Sequence, residues 1–578
     1  MSVNAQDVTK IYEAHSVHGI PPEQRLVPFR NIESVLALHT RVSPDKTFLI
    51  HYDQQGQREE FSYRDFSARV RQMAHYMHDN LGVRRGDRVA TIGHNHRDIV
   101  LIYCACWLIG AAVAPQNVSE DDRRMAFTLR NSEAKVCFVF SDYLHRAETI
   151  IHSHDLGVPN IERIIVIENL DLLPYAADFS PADPPSFDDE ALLVYTSGTT
   201  GAPKGVVLSQ YNLLVDAAGI AQWQAITGNQ RMMCVLPIHH VNGIVVTLIT
   251  PLLVGASVVL NRSFSVHHFW NRIAAEQVNI VSVVPTLLQF LLEHAEIQRA
   301  ENNTIFGDGL QPDDLTHFRH LICGAGTLSV ALARNFETTF QIPILHGYGL
   351  SETTCYSCYL PIDLDPASHR SWMEEYGYPS IGCPIGPNEM GVFHSEGHLL
   401  GSGQKGEICI RGHNVMLYYY RRPDANAETF KFGWFRSGDE GFYEIGPQGR
   451  SFFFITGRIK ELINRGGVKF SPFEIEEVLL EIQGVKIGLA IAFENEYYGE
   501  EVGAYVVLDN GVSVKEEAII RYCHERMSFE KAPKVVVIGT EIPVTSTGKY
   551  QRLKLQDLFQ NWKNTQFKKQ DFVEKNTP

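Results

Sequence analysis

Tyr195-Thr196-Ser197-Gly198-Thr199-Thr200-Gly201-Ala202-Pro203-Lys204-Gly205 follows directly on an apolar run that begins at Leu192. The segment places glycines, aliphatic hydroxyls and one ammonium on a single loop after a buried strand. Such a loop suits a polyphosphate, because mobile backbone N–H groups and a lysine can surround the negative charge. It is not a Walker A loop, which has Gly immediately before the Lys and Ser or Thr immediately after; here Pro203 and Gly205 flank Lys204. Small residues alone make turns, but this density of hydroxyls goes beyond turn chemistry.

Around the loop, from about residue 60 to 350, short β-branched runs alternate with helical patterns. Leu192 to Tyr195, Asn279 to Val284, Leu321 to Cys323 and Ile342 to Leu345 read as strands, and the rhythm predicts parallel sheets flanked by helices. After residue 380 the texture shifts to shorter strands and turns, as in Gly406 to Gly412, which predicts an antiparallel or barrel-like part. Beyond Lys460 a compact α+β pattern follows, with an acidic amphipathic helix near Glu474 to Ile482. Strands near Leu489 to Phe493 and Val502 to Val507, and a helix near Val514 to Met527, complete it. The polar stretch from Asn561 to Pro578 reads as a solvated tail.

A chain of 578 residues exceeds what one hydrophobic core usually supports, so a large layered body and at least one smaller domain are expected. The composition, 44% hydrophobic and 20% charged, is that of a globular protein with a sizeable core. A formal net charge of -16 argues against a nucleic-acid partner, since phosphate backbones select basic faces. The 10 cysteines are scattered, several within apolar runs (Cys104, Cys106, Cys137, Cys323), which suits buried reduced thiols. Cys355 and Cys358 form one C-x-x-C without a second ligand pair at zinc spacing, so no metal or redox role is assigned to them. Ile99 to Pro115 and Gly243 to Leu260 are uncharged, but Gly110, Pro251 and Gly255 divide them. Each reads as a buried helix followed by a short strand, and no membrane span is expected. Neither an export signal nor a peroxisomal tripeptide is read at the termini, so a cytoplasmic location is expected.

The loop at 195–205 resembles the signature loop of the adenylate-forming superfamily, which comprises acyl-CoA synthetases, peptide-synthetase adenylation domains and beetle luciferases. Thr196, Ser197, Gly198, Thr199, Thr200 and Lys204 would contact nucleotide phosphates. Further segments are similar to that family in its order, from about residue 30 to 555. His346-Gly-Tyr-Gly-Leu-Ser-Glu-Thr-Thr354 resembles the aromatic and acidic loop. There Tyr348 with Gly349 would meet adenine, Ser351 phosphate, and Glu352 would bind Mg2+, a hard cation that prefers carboxylate and phosphate oxygens. Gly433 to Asp439 and Gly457-Arg458 resemble the nucleoside segment, with Asp439 accepting the ribose hydroxyls and Arg458 adding a contact.

The resemblance implies a large N-terminal α/β domain, residues 1–456, of parallel αβ-layered sheets plus a small barrel-like subdomain. A small mobile α+β C-terminal domain, 457–578, would turn on a hinge at Lys460. Gly466 and Gly467 match the loop that approaches a pantetheine thiol, glycine letting backbone come close. Pro543-Val-Thr-Ser-Thr-Gly-Lys549 is similar to the loop of the catalytic lysine. Attack of a carboxylate on an already anionic α-phosphate requires fixed cations, which Lys549 and Mg2+ would supply.

The acid would enter past Pro237-Ile-His-His-Val-Asn-Gly243, with His240 bordering its carboxylate end and Val241, Asn242 and Gly243 lining the pocket. A histidine here also fits a core role. Gly324, Ala325 and Gly326 depart from the family's Ser-Gly-Ala-Ala string, and His346, before Gly347, replaces its usual Gln. No Asp or Glu falls between Arg231 and Leu260 to pair an amino acid's ammonium, which favours a neutral aliphatic or aryl acid. Too few residues follow Lys549 for a carrier domain, so the thiol acceptor is expected to be separate, coenzyme A or the phosphopantetheine of a carrier protein. An acid–thiol ligase using ATP is the expectation; a luciferase-like oxygenase and a catalytically silent nucleotide-binding protein are the alternatives.

Overall fold

The two uncharged runs fold as their dividing residues predict. Arg97–Ile109 is a helix buried over almost its whole length, stopped by Gly110 at φ 83°, and Ala112–Gln116 follows as a buried strand. Glycine adopts this left-handed turn without a Cβ penalty, which makes it a natural helix stop. The second run is a helix from Asn242 through Val254 and then the strand Ser257–Asn261. Its first two turns are wound as a π-helix, Thr250 N–H bonding Val245 O, with the Thr250 hydroxyl donating to the same carbonyl at 2.8 Å. The computed structural model describes residues 5–153, 155–196, 203–509, 511–544 and 550–572. No described helix is long and apolar enough to cross a membrane.

Two large sheets carry the N-terminal part. One has nine strands in the order 383–384, 358–359, 344–348, 320–323, 280–283, 231–234, 257–261, 47–52 and 58–62, parallel through its middle. The other has seven, in the order 418–419, 204–209, 190–196, 112–116, 88–92, 136–139 and 163–166. One continuous apolar core joins strand residues of both sheets, such as Val113 and Leu192 with Leu49 and Met232, to the helices Arg97–Ile109 and Gln210–Trp223. Sheets covered in this way read as near-continuous apolar strands, which is why their pattern lacked alternation. The expected strand at Ile342 begins two residues later, at Ile344, after Pro343, which has no N–H to give a ladder.

The antiparallel part is a four-stranded sheet, Asn388–Phe393, Gly406–Gly412, Phe435–Ile445 and Ser451–Arg458, paired in that order. A separate C-terminal domain follows. Its strands Val485–Asn495 and Gly499–Leu508 pair antiparallel, Val535–Gly539 adds to Gly499–Leu508 in parallel, and the hairpin Ile463–Arg465/Val468–Phe470 joins the start of Gly499–Leu508 through Arg465 and Gly499. Helices Pro472–Leu480 and Glu516–Arg526 cover it.

The acidic face of the first of these helices is not left to solvent. Glu476 is buried against Arg552, the two 2.8 Å apart, and Glu474 sits between Lys405 and Lys531. The segment from 561 is likewise docked as far as it is described, which corrects the reading of a solvated tail. Asn495 Nδ2 donates to Lys563 O and Thr565 O, Phe567 is buried, and the Phe572 ring stacks on His524 at 4.6 Å. Three aromatic rings in the stretch, Trp562, Phe567 and Phe572, outweigh its lysines. All ten cysteines are unpaired and buried, and burial pushes thiols such as Cys104, Cys137 and Cys234 up to about 12.

Candidate active site

The strand pair Glu190–Thr196 and Lys204–Ser209 fixes both ends of the hydroxyl-rich loop, with Thr196 opposite Lys204. Ser197, Gly198, Thr199 and Thr200 lie outside the described residues, as does Lys549. Tyr418–Tyr419 pairs with Val206–Val207, which brings the Lys204 ammonium over the Tyr419 ring, 4.0 Å from its centre. The Tyr419 hydroxyl donates to Glu352 Oε1 at 2.8 Å. Burial lowers the Lys204 ammonium from its ordinary value, Glu352 opposes that shift, and the charge of Lys460 adds to it. Lys204, Glu352 and Lys460, three residues expected from the sequence to serve phosphate, metal and hinge, therefore share one electrostatic neighbourhood.

Strand Ile344–Tyr348 leads into the short 3-10 turn Ser351–Thr353, which holds Glu352 with 8% of its surface exposed. Thr354 next to it has φ 65° and ψ -56°. A β-branched residue at positive φ is strained, and here its hydroxyl is tied to Asn414 O at 2.6 Å. Glu352 is a hard oxygen donor near the half-buried Lys204 ammonium, a donor chemistry that fits Mg2+ coordination together with phosphate.

The residues expected to meet the nucleoside come together from two sheets. Asp439 faces Arg458 across the antiparallel ladder. The Tyr348 hydroxyl donates to Asp439 Oδ2 at 2.6 Å, and Arg458 Nε lies 3.1 Å from Oδ1. Asp439 and Tyr348 are buried, and burial together with the adjacent carboxylate drives the phenol well above its usual value, so it stays a neutral donor. Asp439 accepts from both sides.

The proposed acid-pocket residues also converge. His239 and His240 rings lie 4.4 Å apart, and burial lowers His239 well below its normal value. Asn242 Nδ2 donates to the Tyr356 hydroxyl at 3.2 Å, and Ser282 Oγ donates to Asn242 Oδ1 at 2.7 Å. Val241 is 8% exposed, and Gly243 is the second residue of the π-wound turns. Ala325, between Gly324 and Gly326, has φ 63°, a second non-glycine residue in the left-handed region at this site. His346 is buried with Nδ1 against Ser380 O at 2.9 Å, and burial lowers it to about 4, so the ring is neutral.

Gly466 and Gly467 are set apart from these groups, on the C-terminal domain's own sheet. They form the two-residue turn of its edge hairpin at φ 59° and 88°, and Gly466 N–H bonds Tyr498 O at 2.8 Å. Positive φ at both turn positions matches the twist of a tight hairpin and favours Gly-Gly there. Beside the turn, Arg465 pairs with the fully buried Glu501 at 2.7 Å. Tyr419, Tyr356, Ser282 and His239 were not singled out in the sequence; only the run Tyr418-Tyr419-Tyr420 and the doublet His239-His240 could have drawn notice.

Comparison with known proteins shows the family. The family model described as AMP-binding enzyme matches residues 36–420, and that described as AMP-binding enzyme C-terminal domain matches 474–549. A sulfoacetate–CoA ligase of Cupriavidus necator is 32% identical over 476 residues, covering 82% of this chain and 88% of its own. An oxalate–CoA ligase of Arabidopsis thaliana is 32% identical over 480 residues with the same coverage, 82% and 88%. Among solved structures, o-succinylbenzoate CoA synthetase from Bacillus subtilis, in complex with its acyl-adenylate intermediate, superposes with TM-score 0.76 at 26% identity. It covers 90% of this chain and 98% of its own. ATP-bound MatB from Rhodopseudomonas palustris gives TM-score 0.79 at 23% identity, covering 92% and 99%.

Proposed function

The chain belongs to the AMP-binding enzyme family as an acid–CoA ligase, and from that premise we propose how its residues divide the reaction. A carboxylic acid and ATP give acyl-AMP and pyrophosphate; the thiol of coenzyme A then attacks the acyl carbon, forming the thioester and releasing AMP. The observation that carries this reading is the meeting of the three separate nucleotide segments. Tyr348, Asp439 and Arg458 form one linked group, and Lys204, Tyr419 and Glu352 form another.

In this reading Asp439 accepts the ribose hydroxyls, and Tyr348 both presents a ring to adenine and fixes the carboxylate. Lys204 and the hydroxyls of 196–200 receive the phosphates. Glu352 would hold Mg2+, which when bound offsets phosphate charge during attack. Lys549 is the mobile cation of adenylation, carried by a domain that begins at residue 457 and turns at Lys460. Gly466 and Gly467 serve the thiol step. The acid is one without an ammonium, since no acidic residue falls between Arg231 and Leu260. Kinship with CoA ligases supports coenzyme A over a carrier protein as acceptor, and ten unpaired buried thiols support a reducing, cytoplasmic setting.

Acid-dependent exchange of pyrophosphate into ATP tests the first half-reaction. Lys549→Ala is expected to lower that exchange by roughly a hundredfold or more, while a chemically supplied acyl adenylate is still converted by coenzyme A. Wild-type exchange rates in this variant would remove Lys549 from the mechanism.

A further inference from the structure

One side chain, Tyr356, stands where segments expected to form the acid pocket meet. Tyr356 is 2% exposed, and its hydroxyl accepts from Asn242 on the 237–243 segment. A Cβ built on Gly324 would fall 2.5 Å from that hydroxyl and 2.7 Å from Gly347 O. The phenol of Tyr356 therefore fills the space beside Gly324, the ring of Tyr359 fills that beside Gly347, and a glycine at 324 is what admits the Tyr356 hydroxyl. Behind the hydroxyl the volume is taken: Tyr359 stacks on Tyr356 at 4.4 Å, and the buried Asn242 and Ser282 complete a hydrogen-bonded layer.

The backbone that carries the ring is anchored. Its backbone N–H points to the buried Asp216 carboxylate, and its carbonyl accepts from Asn414 Nδ2 at 3.2 Å. Asp216 is fully buried and in turn accepts from Asn414 at 2.9 Å, so the segment that carries Tyr356 is bonded on both sides to elements of the core. A plug held in this way sets a fixed depth.

Resting on the ligase reading above, we propose that Tyr356 closes the floor of the acid pocket, so that the enzyme's substrate is a short-chain carboxylic acid whose far end meets a neutral polar layer of Tyr356, Asn242 and Ser282. Medium-chain and aryl acids are excluded by the phenol's volume. Hydrophobic pockets discriminate single methylenes by roughly 10- to 200-fold, so the cut-off is expected to be sharp.

The test uses the full chain and non-reactive N-acylsulfamoyl adenosines bearing acetyl, butanoyl, benzoyl and octanoyl groups, with binding read by calorimetry. Wild-type enzyme is expected to bind the acetyl or butanoyl compound at least tenfold more tightly than the benzoyl and octanoyl compounds. Tyr356→Ala is expected to reverse that order. Tyr356→Phe, which keeps the volume, is expected to retain the cut-off, and a cut-off lost in that variant would overturn the plug. If the alanine variant does not fold, Tyr356→Leu, with less volume, is expected to narrow the gap between acetyl and octanoyl compounds. Equal wild-type affinity for acetyl and octanoyl compounds would overturn the plug while leaving the ligase reading intact. If none of the four binds, the ligase reading falls and the inference falls with it.

Discussion

The phenol of Tyr348 donates to one oxygen of Asp439 while Arg458 holds the other, so the carboxylate is oriented before any nucleoside arrives. Hydrogen bonds to a charged partner contribute about 1.5–3 kcal/mol, and losing this one frees the carboxylate to rotate. Tyr348→Phe is therefore expected to raise the KM for ATP roughly tenfold with kcat within about twofold of wild type, measured by exchange kinetics. A kcat loss with unchanged KM would contradict an orienting role. Asp439, Arg458, Tyr348 and Glu352 could be named in the sequence because each sits in a short string whose neighbours are constrained with it. Tyr419 could not: it reaches Glu352 across 67 positions, and nothing in its local spacing encodes that contact.

Helix Pro472–Leu480 shows what happens when an element is legible and its environment is not. Its position was readable from the amphipathic pattern, but its glutamates face protein rather than water. Glu477 accepts from Val330 N–H at 3.2 Å, at the start of helix Val330–Phe340 in the N-terminal part, and Lys486 meets Glu293 at 2.9 Å in a second contact of the same kind. Burial raises the Glu477 carboxyl to about 7, against the Val330 N–H; Glu476 and Glu481 raise it further and Arg334 opposes. Undocked, the same group would titrate near its ordinary value of about 4.3, so the docked state binds more protons between the two values. Docking is therefore tightest below the lower value, weakens as pH rises toward 7, and changes no further above it. Amide hydrogen exchange in the two helices is expected to quicken between about pH 5 and 7 after correction for intrinsic rates, and Glu477→Gln to flatten that slope. An unchanged slope in the variant would assign the effect elsewhere. The π-wound turns at Asn242–Ile249 were equally hidden, because an apolar run buried on all sides has no period to read.

At the scale of the molecule, residues from 463 onward pack into clusters of their own, around Ile463, Ile475 and Val502 and around Leu489, Phe493 and Phe559. The two large sheets share a different core. Among the described apolar residues from 463 onward, Phe473 leans across, against the cluster that contains Phe452 and Phe454. A fragment of residues 1–456 is therefore expected to unfold cooperatively within a few degrees of the full chain's main transition by calorimetry, yet to lose acid-dependent pyrophosphate exchange by about three orders of magnitude. Retained exchange would show that nothing past residue 456 serves adenylation. This layered plan was visible in the alternation of strand and helix, since covered parallel sheets leave an unbroken apolar signature. The docked segment 561–572 was not, because its three rings are outnumbered by polar neighbours and only the finished surface of the domain gives them a seat.

The burial of every cysteine bears on what such a catalyst must survive. An acyl adenylate is a mixed anhydride that any accessible thiolate would capture, the enzyme's own included. With its sulfurs shut inside the apolar layers and pushed toward the protonated form, the protein offers its intermediate no internal nucleophile of that kind. The incoming cofactor thiol is left without a rival, and the catalyst is spared acylating itself.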